Sequence, residues 1–198
     1  MIAYLSGKLV FKDPTYVIID VGGIGYIVKI SLQTYSDIKD EEHIKLLTFL
    51  HIKEDAHTLY GFKKEDEKRM FLHLISINGV GPNTGLMILS SLSTPEIEQA
   101  ILSGDVGTIQ HVKGIGAKTA QRIILELKDK VGKSSSESSS TQIGFLKSSN
   151  KVREEALQAL ITLGFTKAVA EKNIIQVLKK TTGEISLEDL IKASLKTP

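Results

Sequence analysis

Two stretches decide how this chain is read: Ile77-Asn78-Gly79-Val80-Gly81-Pro82-Asn83-Thr84 and Val112-Lys113-Gly114-Ile115-Gly116-Ala117-Lys118-Thr119. Gly79 and Gly114, Gly81 and Gly116, and Thr84 and Thr119 each lie 35 positions apart, so the stretches are copies of one unit. In both, a tight Gly-hydrophobic-Gly turn runs into a segment with apolar residues at helical spacing. Such a turn presents the first amides of the new helix outward, with the positive end of the helix dipole behind them. That arrangement binds phosphate. The expected donors are the amides of Gly79, Val80 and Gly81 in one copy and of Gly114, Ile115 and Gly116 in the other. Two such grips point to a nucleic-acid backbone, held without reading bases. Glycine pairs also close helix–helix turns for steric reasons alone. The constant offset, with Thr84 after one copy and Lys118 and Thr119 after the other, favours phosphate. Arg122 lies one turn beyond Lys118 and faces the same side, although an ordinary solvated face explains it nearly as well.

Outward from the repeat, the periodicity changes in both directions. Residues 1–62 read as strands: Leu5–Phe11, Tyr16–Val21, Tyr26–Ile30, Ile44–Ile52 and a last one at His57–Tyr60. Five short strands in this length suit a small closed barrel of the OB type. Gly22-Gly23-Ile24-Gly25 lacks the third glycine of a dinucleotide fingerprint and is followed by β-structure, so it reads as a hairpin turn. Residues 63–132 read as an all-α domain. Met70, Phe71, Leu74 and Ile77 share one helix face, as do Ala120, Ile123, Ile124, Leu127 and Val131. Pro82 suits a first helical turn, and Thr94-Pro95-Glu96 is a further start signal with Thr94 as the capping hydroxyl.

The Ser-rich run from Gly132 to Thr141 is too polar to bury anything, and residues 133–150 read as a flexible linker. Residues 151–198 return to helical periodicity in three pieces, with a stop at Leu163-Gly164-Phe165 and a capping box at Ser186-Leu187-Glu188-Asp189. So small a bundle is suited to binding a partner. The fold class expected is therefore multidomain α+β: barrel 1–62, helical module 63–132, linker 133–150 and three-helix bundle 151–198.

Composition narrows the function. The net charge of +2 is uninformative on its own; a protein gripping DNA through a broad basic face is usually far more basic, so DNA binding here would rest on helix N-termini and a few lysines. The N-terminal 62 residues are the acidic end, with 6 basic against 8 acidic side chains. Absence of cysteine fits a reducing compartment. With neither a leader-like N-terminus nor a bilayer-length apolar run, a cytoplasmic protein without membrane contact is expected. The five histidines (His43, His51, His57, His73, His111) have no metal-ligand spacing, and no nucleophile set or Walker loop emerges. Gly114 to Thr119 imitates a P-loop but lacks its first glycine. No catalytic residue, metal or cofactor is expected.

In this order the parts resemble the RuvA family, whose members bind Holliday junctions and work with the RuvB ATPase in branch migration. The resemblance spans nearly the whole chain. It is carried by Asp20-Val21-Gly22-Gly23-Ile24-Gly25-Tyr26, by Lys53-Glu54-Asp55-Ala56 with Leu59-Tyr60-Gly61-Phe62, by Asn78-Gly79-Val80-Gly81-Pro82, and by Gly114-Ile115-Gly116 with Lys118-Thr119-Ala120. It implies tandem helix-hairpin-helix motifs on the junction arms, contacted through Gly79, Val80, Gly81, Asn83, Thr84, Gly114, Ile115, Gly116, Lys118, Thr119 and Arg122. It also implies a homotetramer, one or two of which cover the junction, and a UBA-like C-terminal domain (151–198) contacting RuvB; the resolvase RuvC is a further partner. Acids at a turn are structurally unremarkable. The resemblance makes Glu54 and Asp55 the acidic pin at the junction centre, where carboxylates beside phosphates disfavour continuous duplex. Relatives often carry lysine where this chain has Asn83 and Ala117, so a flatter salt dependence is expected here. The alternative is an accessory subunit of a helix-hairpin-helix repair nuclease. An RNA-binding adaptor, with Tyr4, Phe11, Tyr16, Tyr26 and Tyr35 stacking on bases, is a weaker one.

Overall fold

The computed structural model describes residues 2–39, 41–135, 146–180 and 185–196. The chain divides into two compact units, 1–139 and 140–198. The first opens with strands β1 (Tyr4–Lys12), β2 (Tyr16–Val21) and β3 (Ile24–Ile30), then helix α1 (Leu32–Ile38), then β4 (His43–Ile52) and β5 (His57–Phe62). The strands close into a barrel in the order β1-β2-β3-β5-β4. Neighbours are antiparallel except β3 and β5, which run parallel with Val28 opposite Leu59. Alternate side chains point inward, as strand geometry requires. Leu5, Val17, Ile19, Val28, Ile30, Ile44 and Leu46 fill the interior with Ile38 from α1. Val21 pairs with Ile24, so Gly22-Gly23 is the two-residue hairpin expected, and the Gly23 amide donates to Asp20 Oδ1 at 2.8 Å.

Helix α1 was not legible in the sequence. Seven residues are too few for a helical period to stand out against the β-rich pattern around them. Its start signal is Ser31, whose hydroxyl accepts from the Thr34 amide at 3.0 Å.

The helical module comprises α2 (Glu65–Ile75), α3 (Pro82–Ser91), α4 (Thr94–Ser103), α5 (Val106–Gln110) and α6 (Ala117–Ser135). Met70, Phe71, Leu74, Ile88, Leu89, Ile97, Ile123 and Leu127 form its core. The capping residue of α4 is Ser93 rather than Thr94: Glu96 accepts from both the Ser93 amide (2.8 Å) and its hydroxyl (2.6 Å), and Thr94 is buried in the first turn. Residue 62 marks a change of secondary structure, with no gap in packing. Tyr60 and Phe62 of β5 belong to the same core as Phe71, whose ring lies 5.4 and 4.8 Å from theirs.

A second tie between barrel and helices is polar. Glu67, in the first turn of α2, is fully buried and accepts hydrogen bonds from the Ser31 hydroxyl and, at 2.6 Å, from Thr34 Oγ1. Burial raises its carboxyl above the ordinary value of 4.5, and the two hydroxyl donors oppose that rise.

The second unit comprises α7 (Leu146–Thr162), α8 (Lys167–Lys180) and α9 (Leu187–Leu195) around Ala156, Leu160, Ala170, Ile174, Val177 and Leu190. At Leu163-Gly164-Phe165 the Phe165 amide bonds back to Leu160 and the Gly164 amide to Ile161, each at 3.0 Å. That pairing closes the C-terminus of α7 as a Schellman motif. Ser186 caps α9 through the Asp189 amide. The segment expected to be a linker, 133–150, is helical at both ends, because α6 runs to Ser135 and α7 begins at Leu146; 136–145, with the Ser-rich run, lie outside the described residues.

Candidate nucleic-acid interface

Each glycine repeat closes a hairpin between helices: the first links α2 to α3 and the second α5 to α6. The turns are built alike. Gly79 and Gly114 have φ of +94° and +86°, a conformation that side chains other than glycine's resist. The next amide folds back, Val80 onto the Ile77 carbonyl (3.0 Å) and Ile115 onto the Val112 carbonyl (3.1 Å). Both apolar side chains are buried. This corrects the sequence reading. The Val80 and Ile115 amides are engaged within the turn, and these residues anchor the hairpins in the core rather than donate outward.

Gly81 and Gly116 raise a different question. Gly81, which precedes α3, has an ordinary extended conformation with φ −83°. A Cβ added at either position would meet no atom of the chain within 4 Å, and Gly116 is likewise outside the left-handed region. Neither backbone strain nor internal packing asks for glycine there. Both positions leave open space for a close approach from outside, and Gly81 also serves as the N-cap of α3, where glycine is preferred to alanine.

Beyond these glycines the helix amides open outward. Gly81 supplies no side-chain cap to α3, and the Gly85 amide is the first to bond within the helix, to the Gly81 carbonyl at 2.9 Å. In α6 the Ala120 amide bonds to Gly116 at 3.0 Å in the same way. The preceding amides therefore face outward: Asn83 and Thr84 in the first hairpin, and Ala117, Lys118 and Thr119 in the second, Pro82 having none to offer.

The side chains around the two turns differ. Lys118 is exposed, with no ion-pair or hydrogen-bond partner among the described residues. Asn83, its equivalent 35 positions earlier, accepts a 3.0 Å hydrogen bond from the Tyr60 hydroxyl. Burial raises the Tyr60 phenol further, so that hydroxyl keeps its proton. Arg122 reaches across to the first hairpin, where its guanidinium donates to the Asn78 carbonyl at 3.1 Å and lies 3.7 Å from Glu126. Its first task in this arrangement is holding the two turns together. Arg122 stands six residues beyond Gly116, about 9 Å along α6 at 1.5 Å per residue, so its side chain ties the early part of that helix to the first turn.

Glu54 and Asp55 form the tip of the β4–β5 hairpin, both exposed, closed by the Lys53 amide donating to the Ala56 carbonyl at 2.9 Å. The hairpin neither buries them nor pairs them with a cation among the described residues. They are a free pair of negative charges at the end of two paired strands.

Three family models match in chain order. They are the RuvA N-terminal domain over residues 1–61, a SAM-like helix-hairpin-helix tandem over 71–129, and the RuvA C-terminal domain over 151–197. A protein of Cytophaga hutchinsonii named Holliday junction branch migration complex subunit RuvA is 58% identical over 197 residues, covering 99% of each chain. Proteins of the same name from Amoebophilus asiaticus and Geotalea daltonii are 50% and 38% identical, over 99% of this chain and 100% and 98% of their own. The chain belongs to the RuvA family.

The three matched segments correspond to the barrel with its acidic tip, the paired hairpins and the C-terminal bundle. One residue of this interface escaped the sequence reading. Lys113 is exposed in the second turn, 35 positions after Asn78, so both lysines of the second turn replace asparagines of the first. The 35-residue offset was the signal that would have found it. Among the described residues, no group of three or more His, Asp or Glu is placed to hold a metal ion, and no helix is long and apolar enough to cross a membrane.

Proposed function

We propose that this protein binds four-way (Holliday) junctions without sequence preference and serves as the non-catalytic DNA-binding subunit of a branch-migration complex. One observation carries the reading: Gly81 and Gly116 are glycines that the chain's own backbone and packing do not require, each beside outward-facing first-turn amides. A phosphate oxygen needs that open space to reach backbone N–H groups. The DNA-contacting set is Gly79, Gly81, Asn83, Thr84, Gly114, Gly116, Lys118 and Thr119, with Lys113 added. Val80, Ile115 and Arg122 hold the turns in place.

Glu54 and Asp55 act by repulsion at the junction centre. A continuous duplex would bring phosphates against two unpaired carboxylates, whereas an open four-way centre leaves room for them. Four copies, one to each arm, form the working homotetramer, and a second tetramer can close the other face as an octamer. In support, Ile27, Leu32 and Met87 are exposed around an apolar groove of about 640 Å³ in the first unit. ATP hydrolysis belongs to the RuvB hexamer. The bundle 151–198 recruits it, supported by exposed Leu163 and Val169 at its first turn and next helix. RuvC acts on the same junction, and the complex works in the cytoplasm.

The test is a gel-shift competition between a four-way junction and linear duplex of matching sequence. Wild type is expected to prefer the junction, and Glu54→Gln with Asp55→Asn is expected to bind duplex better and discriminate less. Equal affinity of wild type for both DNAs overturns the reading. Deleting 151–198 should leave junction binding intact and abolish RuvB recruitment.

A further inference from the structure

The two hairpins share a backbone but differ at the residue that faces the helix N-terminus. In the second it is Lys118, a cation on a long stem; in the first it is Asn83, short and neutral. A short carboxamide serves as a phosphate donor only if its NH2 group is aimed outward, because its oxygen repels phosphate. Its orientation is fixed here by a neighbour. Tyr60 is 3% exposed, with its ring 5.4 Å from that of Phe71 and 6.5 Å from that of Phe49, so the hydroxyl is held by the core. That hydroxyl occupies Asn83 Oδ1 at 3.0 Å. With Oδ1 engaged, the Nδ2 group is the part of the Asn83 carboxamide left to donate, and no hydrogen bond from it is made among the described residues.

We propose that Tyr60 is a positioning residue for the first hairpin: by engaging Asn83 Oδ1 it presents Asn83 Nδ2 as a neutral phosphate donor in the place that Lys118 fills in the second. This rests on the phosphate-binding reading of the hairpins. Tyr60 also lies on β5, the strand that leads out of the turn carrying Glu54 and Asp55. The hydrogen bond therefore joins the first hairpin to the strand that follows the acidic tip. The two grips respond differently to ionic strength. The first is made of neutral donors, and the second releases counterions.

The experiment titrates a four-way junction with wild type, Tyr60→Phe, Asn83→Lys and the double variant at several salt concentrations. Tyr60→Phe keeps the ring and removes only the hydroxyl. It should weaken binding about three- to ten-fold, the worth of one hydrogen bond, and leave the salt slope unchanged. Asn83→Lys should steepen the slope by about 0.9. On that background Tyr60→Phe should have no further effect, because the lysine has no oxygen to orient. Equal weakening by Tyr60→Phe on both backgrounds, or none on either, overturns the proposal. In 15N-labelled wild type the Asn83 side-chain NH2 signals should shift on adding junction, and unmoved signals also overturn it. Absence of junction preference in wild type overturns the functional reading itself, a result distinct from these.

Discussion

The first and second hairpins are the same turn anchored in two ways. Both have a left-handed glycine, a buried apolar residue whose amide folds back, and a glycine with open space in front of it. The first is neutral and rides on the barrel, through Tyr60–Asn83 and through a core shared between β5 and α2. The second carries Lys113 and Lys118 and is tied to the first by Arg122. Packing beneath them differs as well. At Gly85 a Cβ would come within 3.2 Å of Ile75 and 3.4 Å of Phe71, whereas the equivalent residue in α6 is Ala120. The repeat preserves the shape of the turn and its two glycines, and tertiary context decides how each copy is held.

The most severe way to break the comparison is Phe71→Ala. Removing a fully buried ring should cost about 3–5 kcal/mol. The loss should fall on the first hairpin, whose helix packs on that ring. Hydrogen exchange at the Gly85 amide should accelerate more than at the Ala120 amide, and equal acceleration would mean the two are not separately anchored.

Next in size is the split between the two kinds of glycine. Gly79→Ala and Gly114→Ala force a side chain into the left-handed region and should each cost about 1–2 kcal/mol in thermal or denaturant unfolding. Gly81→Ala with Gly116→Ala should instead leave stability within about 1 kcal/mol of wild type, since alanine suits the conformation and restricts the unfolded chain but caps a helix less well than glycine. The same pair should weaken junction binding about ten-fold or more, as amide–phosphate bonds lengthen. Stable protein with undiminished binding would sink the phosphate role of these positions.

A smaller effect separates charge from geometry. Lys118→Ala should flatten the log–log salt dependence of binding by about 0.9. Asn83→Ala should weaken binding with the slope unchanged. Identical slopes for both variants would remove the distinction between an ionic and a neutral grip.

The smallest effect concerns the polar tie at Glu67. Its folded pKa is raised, so folded protein holds that proton more tightly than unfolded protein. The associated stability is fully present below 4.5 and is lost as pH rises from there through the raised value. Glu67→Gln keeps the two hydroxyl contacts without the charge. Its stability relative to wild type should increase over that pH window, and a difference independent of pH would show that burial does not govern this carboxyl.

Much of the fold was written in local pattern. Strand alternation marked the five strands, and helical spacing marked Met70, Phe71 and Leu74. Local pattern did not reveal α1, too short to display a period, nor the choice of Ser93 over Thr94, which depends on where Glu96 can reach back. The site was legible in the same measure. The repeat located both turns and named Asn83 and Lys118 on them, but Lys113, which stands where the first copy has Asn78, was passed over.

By itself the sequence determined that this is a RuvA-family chain with a doubled glycine turn, an acidic hairpin tip and a separate C-terminal bundle, because residue type and spacing decide local conformation. Only the tertiary structure decided which amides remain outward. Val80 and Ile115 look like their glycine neighbours until the turn closes and engages them. It also decided that Arg122 joins the two turns and that Tyr60 meets Asn83. These pairs lie 44 and 23 residues apart. Contacts over such separations leave no periodic trace in the chain; they exist because burying a shared core brings distant side chains within hydrogen-bond reach.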